Sequence, residues 1–470
     1  MSARDGLPRC SVLIKGVDWA VTVNASREIV KSASIAVDRD RIVAIGKSED
    51  LDHSIEAEKT IDGRGLLALP GIVDCCVNSS HHLGRGLADA CDMYEYHLGR
   101  RLPYEAALSP EDAFAASLLS QVEMVHAGTT CFVDAGSRFY GQVAGAAASL
   151  GIRAFVSRSC SDVTDTFFGE APIGATDCVE EIENAQRAVL EIQALGSSRV
   201  RPALALPWLP ACSDDLCRGM ARLAATTGAI TLAGAAFCRD DAVASRREHF
   251  RTEVERLDAA GLLGDRLLIS NAGWSSPTDM VRLRDAAAHV VCTPSASHRL
   301  GTGSLEYGRY PELVAFGVNV LLGSFSAMAS NHTDLLRQLF LFCGGSMSFR
   351  LDATITPPEL ALEMATIRAA KALGIDKEIG SLEAGKKADI ALFGVNQSDW
   401  VPLHDPLANL AFSTRGGADT VLVDGRILLE RGKLTSMDEG ALLQEGQARA
   451  SAVAERSKLS RHSQPRWRVV

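Results

Sequence analysis

Between Pro70 and Asp89 the chain reads PGIVDCCVNSSHHLGRGLAD, which puts two adjacent thiols, Cys75 and Cys76, shortly before two adjacent imidazoles, His81 and His82. Thiolate and imidazole are zinc donors, and a thiol is the one side chain in this run that is nucleophilic without a metal. Farther along, Asp134 closes the run TTCFVD, Arg158 follows IRAFVS, His298 follows CTPSAS and His332 follows SAMASN. Each stands at the end of an apolar run, so Cys76, Asp134 and His298 are the candidates for metal-free chemistry, with Cys76 as nucleophile. Their spacing forms no recognisable triad. The bland reading of Cys76 is a buried thiol, and that of His81, His82, His298 and His332 is four polar loop residues rather than a rearranged metal cluster. The other cysteines, of twelve in all, show no CxxC pairing, which suits reduced, buried thiols. GSLEAGKK, Gly380 to Lys387, nearly matches a phosphate-binding loop, but Lys387 stands where Ser or Thr should be and a strand follows instead of a helix. A hairpin turn is the better reading.

The elements that position these residues follow from patterning. At 470 residues, 47% hydrophobic and 23% charged, the chain accommodates a barrel of about 250 residues with a smaller companion domain. A net charge of −10 argues against a nucleic-acid surface. No signal-like apolar core and no membrane span is apparent, so a cytoplasmic protein is expected. Residues 10 to 65 read as short strands with period-2 alternation. From Leu67 to about Gly374, apolar runs (TTCFVDAG, IRAFVSRSC, RPALALPW, AITLAGAAF, RLLISNAGW, HVVCTPSAS, NVLLGSFS) alternate with Ala-, Leu- and Glu-rich helical stretches. With LLALPGIVDCCV they make eight, the pattern of a (β/α)8 TIM barrel. Strand texture returns in IGSLEAGKKADIALFGV and DTVLVDGRILLERGKL. The expected organisation is an α/β chain: a composite β-sandwich from 1–65 and 376–440, a barrel over 66–375, and a C-terminal helix and tail over 441–470. The tail carries Arg456, Lys458, Arg461, Arg466 and Arg468 and reads as a solvated helix with a loose end.

Taken together, LPGIVD, RGLAD, GTTCFVD, CTPSASHRLGTG, ATIRAAKALG, IGSLEAGKKADIALF, PLHDP and VLVDGRILLERG resemble the amidohydrolase superfamily, in particular the branch of adenosine-type and guanine deaminases and s-triazine chlorohydrolases. The resemblance covers nearly the whole chain. It implies one divalent metal at the C-terminal mouth of the barrel, activating a water for attack. It also implies where the ligands should be. The HxH of the first strand falls on Cys76 and Asn78; the histidine and glutamate of the fifth on Ala233 and Ala236; the two histidines of the sixth on Asn271 and Trp274; and the aspartate of the eighth on Phe325.

Seven altered positions lead to the expectation of a catalytically retired, metal-free family member without a cofactor. Such a chain would act as a binding or regulatory protein or as an oligomer partner, either as a homodimer or with an active homologue. Removing a charged ligand cluster relieves a stability cost that only bound metal would offset. The alternative is an enzyme: a metal-independent one, or a hydrolase acting on non-peptide C–N bonds of a heterocyclic or amide substrate. In either case the pocket is expected to be lined by Trp274, Phe325, Arg158 and His298, and to accept at most a small flat heterocycle.

Overall fold

The computed structural model describes residues 8–460 except 164, 167–168 and 171–176. Arg461, Arg466 and Arg468 of the basic tail lie outside the described residues. The chain divides into two compact units. One comprises the chain up to Val73 with Met124–Cys131 and Pro358–Met437; the other comprises Asp74–Glu123, Phe132–Pro357 and the chain from Asp438 on.

In the first unit, strands from both ends of the chain share one nine-stranded sheet rather than two separate ones. The join is Leu66–Pro70, which runs parallel to Arg9–Val21 on one side and antiparallel to Ile390–Gly394 on the other. Leu66–Pro70 therefore belongs to this sheet and not to the barrel. Alternation explains the sheet's inner face, because every second residue points the same way. Val12, Ile14, Ile35, Val37, Ile390 and Leu392 all fall in one buried apolar cluster. The stretch 380–387 is a turn, with Lys387 Nζ paired to Asp40.

The second unit carries most of the barrel. Its strands, in chain order, are Ile72–Val77, Thr129–Asp134, Arg153–Val156, a fourth broken into Val200–Pro202 and Leu204–Leu206, then Thr231–Ala235, Leu267–Asn271, His289–Cys292 and Asn319–Leu322. All are parallel, in sheets of four and five strands. The fourth strand joins the sheets by giving one half to each. At the opposite seam a single bridge pairs Val77 with Phe325. Burial on both faces is why these strands read as continuous apolar runs. Helices between them begin with local signals: at Pro277–Asp285, Ser276 accepts from Asp279 N while the Asp279 carboxylate accepts from Ser276 N.

The C-terminal helix Glu439–Arg456 is not simply solvated: Leu442 and Val453 are buried, and Arg449 and Arg456 both pair with Asp112. No cysteine forms a disulfide, and all but Cys178 are buried. Among the described residues no helix is long and apolar enough to cross a membrane.

Candidate functional site

The first barrel strand delivers Cys76 and, one step past its end, Asn78. The eighth strand ends beside it. Phe325 N donates to Cys76 O at 2.7 Å and Asn78 N to Phe325 O at 2.6 Å, so the two strand ends are zipped together across the seam. That approach requires Gly323, where a Cβ would lie 2.8 Å from the Cβ of Cys76. Phe325 itself is held at φ 68°, and its ring packs on Phe237 at 5.3 Å and Tyr96 at 6.0 Å. For a bulky residue a left-handed backbone is a true outlier. Ala236 at 47° and Asn271 at 74° share that conformation. Three of the seven positions singled out in the sequence thus keep an unusual backbone, and outliers of this kind cluster at functional sites.

These residues surround a small chamber. Cys76, Asn78, His97, Ser270, Leu232 and Phe325 are among its walls, and its volume of about 20 Å³ has room for about one water. The fifth strand lines it with Leu232 and Gly234 and the sixth with Ser270, and Ala233 and Asn271 are not among its walls. Asn271 Oδ1 instead accepts from Thr293 Oγ1 at 2.8 Å and Tyr310 OH at 3.4 Å. Of the other expected lining residues, Phe325 is in the chamber wall. Trp274 is not: its Nε1 donates to Thr302 O at 3.0 Å and its ring lies against Tyr307. His298 is exposed on the short helix Pro294–Arg299, where its Nδ1 meets Glu306 at 3.3 Å. Arg158 lines a neighbouring cleft.

Electrostatics decides what the candidates can do. Burial pushes the Cys76 thiol up to about 12, despite a 3.4 Å hydrogen bond to Ser270 Oγ. It is a protonated thiol near neutral pH, which removes it as a ready nucleophile. Two carboxyls flank it. Burial raises Asp134, which accepts from Gly136 N at 3.0 Å and from Ser79 Oγ at 3.3 Å, to about 7. Burial likewise raises Asp74, bonded to Ser324 and to Cys76 N, to about 7. Both groups hold or release a proton near neutrality. The four weighed histidines do not converge. His81 Nε2 meets Glu105 at 2.7 Å, His82 Nε2 approaches Glu123 at 3.7 Å, and His332 Nε2 meets Ser295 Oγ at 2.9 Å.

The second space is a cleft of about 130 Å³ that shares Arg101 and Pro207 with the chamber. Charged side chains dominate it. Arg158 clasps Glu181 with contacts of 2.6 and 3.2 Å, and Arg101 donates to Glu105 at 3.2 Å. Burial pushes the Glu105 carboxyl up, but Arg101 and the His81 hydrogen bond outweigh it and hold it at about 2. Trp208 supplies an aromatic wall. Of the two shared residues, Arg101 comes from Glu95–Arg101, a π-helix carrying buried Tyr96, His97, Arg100 and Arg101. This segment was not singled out in the sequence. Its signal was the density of aromatic and basic residues directly after the first strand's loop.

The metal implied by the family resemblance does not fit these residues. Cys76 is a buried thiol bonded to a serine, Asn78 Nδ2 donates to Gly136 O, and the remaining implied positions offer alanine, an asparagine whose oxygen is taken by Thr293, and aromatic rings. Among the described residues no three His, Cys, Asp or Glu side chains come together as a metal-binding group.

Residues 67–428 match the amidohydrolase family profile. The 5-methylthioadenosine/S-adenosylhomocysteine deaminase of Moorella thermoacetica is 29% identical over 88% of this chain and 94% of its own. The 5'-deoxyadenosine deaminase of Methanothermobacter thermautotrophicus is 29% identical over 90% of this chain and 95% of its own. Among solved structures, a zinc-bound adenosine deaminase from Xanthomonas campestris superposes with a TM-score of 0.88 at 22% identity, covering 96% of this chain and 100% of that one. The zinc complex of atrazine chlorohydrolase from Arthrobacter aurescens gives 0.84 at 22%, covering 93% and 100%. These findings overturn the expectation of a retired, metal-free partner protein. Relatives that align over about nine-tenths of the chain carry the names of deaminases, and they point to an active enzyme.

Proposed function

Because the chain belongs to the amidohydrolase family, we propose that it is a hydrolase cleaving a C–N bond, other than a peptide bond, in a small flat nitrogen heterocycle. The observation that carries this reading is the pairing of two spaces at the barrel mouth: a water-sized chamber adjoining a charged cleft, with Arg101 and Pro207 in the wall of both. Barrel enzymes work at this end of their strands. In the cleft, Trp208 offers a face on which a heterocycle stacks, while Arg101 and Arg158 donate and Glu105 and Glu181 accept along its edge.

The chamber has room for one small polar substituent of the ring, and the attacking water reaches the ring carbon from the cleft side. The oxygen of that water bonds to the ring carbon bearing the nitrogen, the C–N bond breaks, and the water's protons are shared between the product and the departing amine. Asp134, raised to about 7 and adjacent in sequence to the chamber residue Ala135, holds a proton at the pH where this exchange occurs. The reaction class is supported by the deaminase names of the relatives.

The test is ammonia release from a panel: 5'-methylthioadenosine, S-adenosylhomocysteine, 5'-deoxyadenosine and an amino-substituted s-triazine. At least one should give ammonia with the wild-type protein, and Arg101→Met should lower kcat/KM by tenfold or more. Silence across the panel at high enzyme concentration would overturn the proposal.

A further inference from the structure

His97 is the most unusual polar side chain at the site. It is 2% exposed, and neither ring nitrogen has a hydrogen-bond partner among the described residues. Its ring lies parallel to Trp208, with centroids 4.8 Å apart and planes at 14°, and meets Phe237 edge-on at 6.3 Å. Stacking thus fixes the ring plane without satisfying its polar edge. It also sits in the π-helix Glu95–Arg101, a form that is rare and concentrated at functional sites.

Burial and nearby Arg101 push its pKa well below the ordinary value, so the ring is neutral. A neutral imidazole presents one N–H and one lone pair. A buried pair of this kind is costly unless something binds it. The ring lines the chamber beside Cys76, Asn78 and Ser270, and the chamber admits only a group of about the size of a water. What meets His97 is therefore a single small polar atom, not a whole ring.

Resting on the C–N hydrolase reading, we propose that His97 is a ligand-binding residue that hydrogen-bonds the substituent nitrogen of the heterocycle where it projects from the cleft into the chamber. It sets specificity for amino-substituted rings. An amino group can donate to the imidazole lone pair, and a ring that carries no donor there cannot. A ring lacking the amino group leaves both imidazole groups unmet.

The experiment measures equilibrium binding of adenine and of purine, which lacks the amino group, to wild type, His97→Leu and His97→Asn. Wild type should prefer adenine at least tenfold. His97→Leu should bring the two affinities within about twofold while its Tm stays at or above the wild-type value, since it removes two unmet polar groups from an apolar stack. His97→Asn, which keeps a donor and an acceptor, should retain part of the preference. A tenfold preference that persists in His97→Leu, or a wild type that binds both rings equally well, overturns the assignment of His97 alone. A wild type that binds neither ring overturns the heterocycle reading and this inference with it.

Discussion

Replacing Asp134 by asparagine isolates the energetics of a buried carboxyl beside the chamber. Burial raises this group from an ordinary 3.8 to about 7, and its acceptor role toward Gly136 N at 3.0 Å is one an amide oxygen can keep. Below about 3.8 the carboxyl is protonated in both folded and unfolded chains, so ionisation costs the fold nothing. Between 3.8 and 7 the folded state binds more protons than the unfolded state, and stability must fall as pH rises through that window. The shift of about three units corresponds to about 4 kcal/mol, fully expressed above about pH 7. Asparagine cannot ionise and lacks this dependence. Urea unfolding of the two proteins, followed by far-UV circular dichroism at about pH 4 and about pH 8, should therefore show the variant gaining about 4 kcal/mol on wild type between the two conditions. A wild-type-to-variant difference that is the same at both pH values would refute the argument that Asp134 is desolvated in the folded chain.

Glu105 predicts the opposite dependence. Its carboxyl, held at about 2 against an ordinary 4.5, contributes up to about 3 kcal/mol that is present above 4.5 and lost as pH falls toward 2. Arg101→Met should move the acid-unfolding midpoint to higher pH, and an unchanged midpoint would contradict the pairing. Cys76, with its thiol pushed up to about 12, should escape iodoacetamide in the native protein at about pH 8 and react only on unfolding, as read by mass spectrometry of its peptide. Phe325→Gly relieves a left-handed residue at about 1–2 kcal/mol but loses a buried ring at about 3–5 kcal/mol. The net should be a destabilisation of about 2 kcal/mol with an enlarged chamber, and a raised Tm would show that strain outweighs packing at φ 68°.

The barrel was legible because each strand is buried on both faces and so appears as an uninterrupted apolar run. The seam at Phe325 was not, since it depends on Gly323 letting two backbones approach. Cys76, Asn78 and Phe325, fixed by the motif spacing around LPGIVD and LLGSFS, line the chamber, whereas Leu232, Gly234 and Ser270 were not singled out, because nothing in TLAGAAF or ISNAGW says which alternate set points inward. Gly234 is itself informative in hindsight: a Cβ there would lie 2.0 Å from Pro207 O, so the fourth and fifth strands can pack around the chamber only with glycine. His97 and Arg101 escaped notice because a π-helix shifts the spacing by which helical faces are read. The inference from altered ligand positions to a retired protein failed for a different reason. Residue types at seven sites describe the loss of one way of activating water, and do not describe what else lines the cavity.

The most direct test of the central claim is to incubate the wild-type protein with 5'-deoxyadenosine in ¹⁸O-labelled water and analyse both products. The account predicts ammonia and a heterocycle carrying one ¹⁸O in equal amounts, the signature of water adding at the carbon from which nitrogen departs. Substrate recovered unchanged, with neither ammonia nor label in the ring, would contradict it.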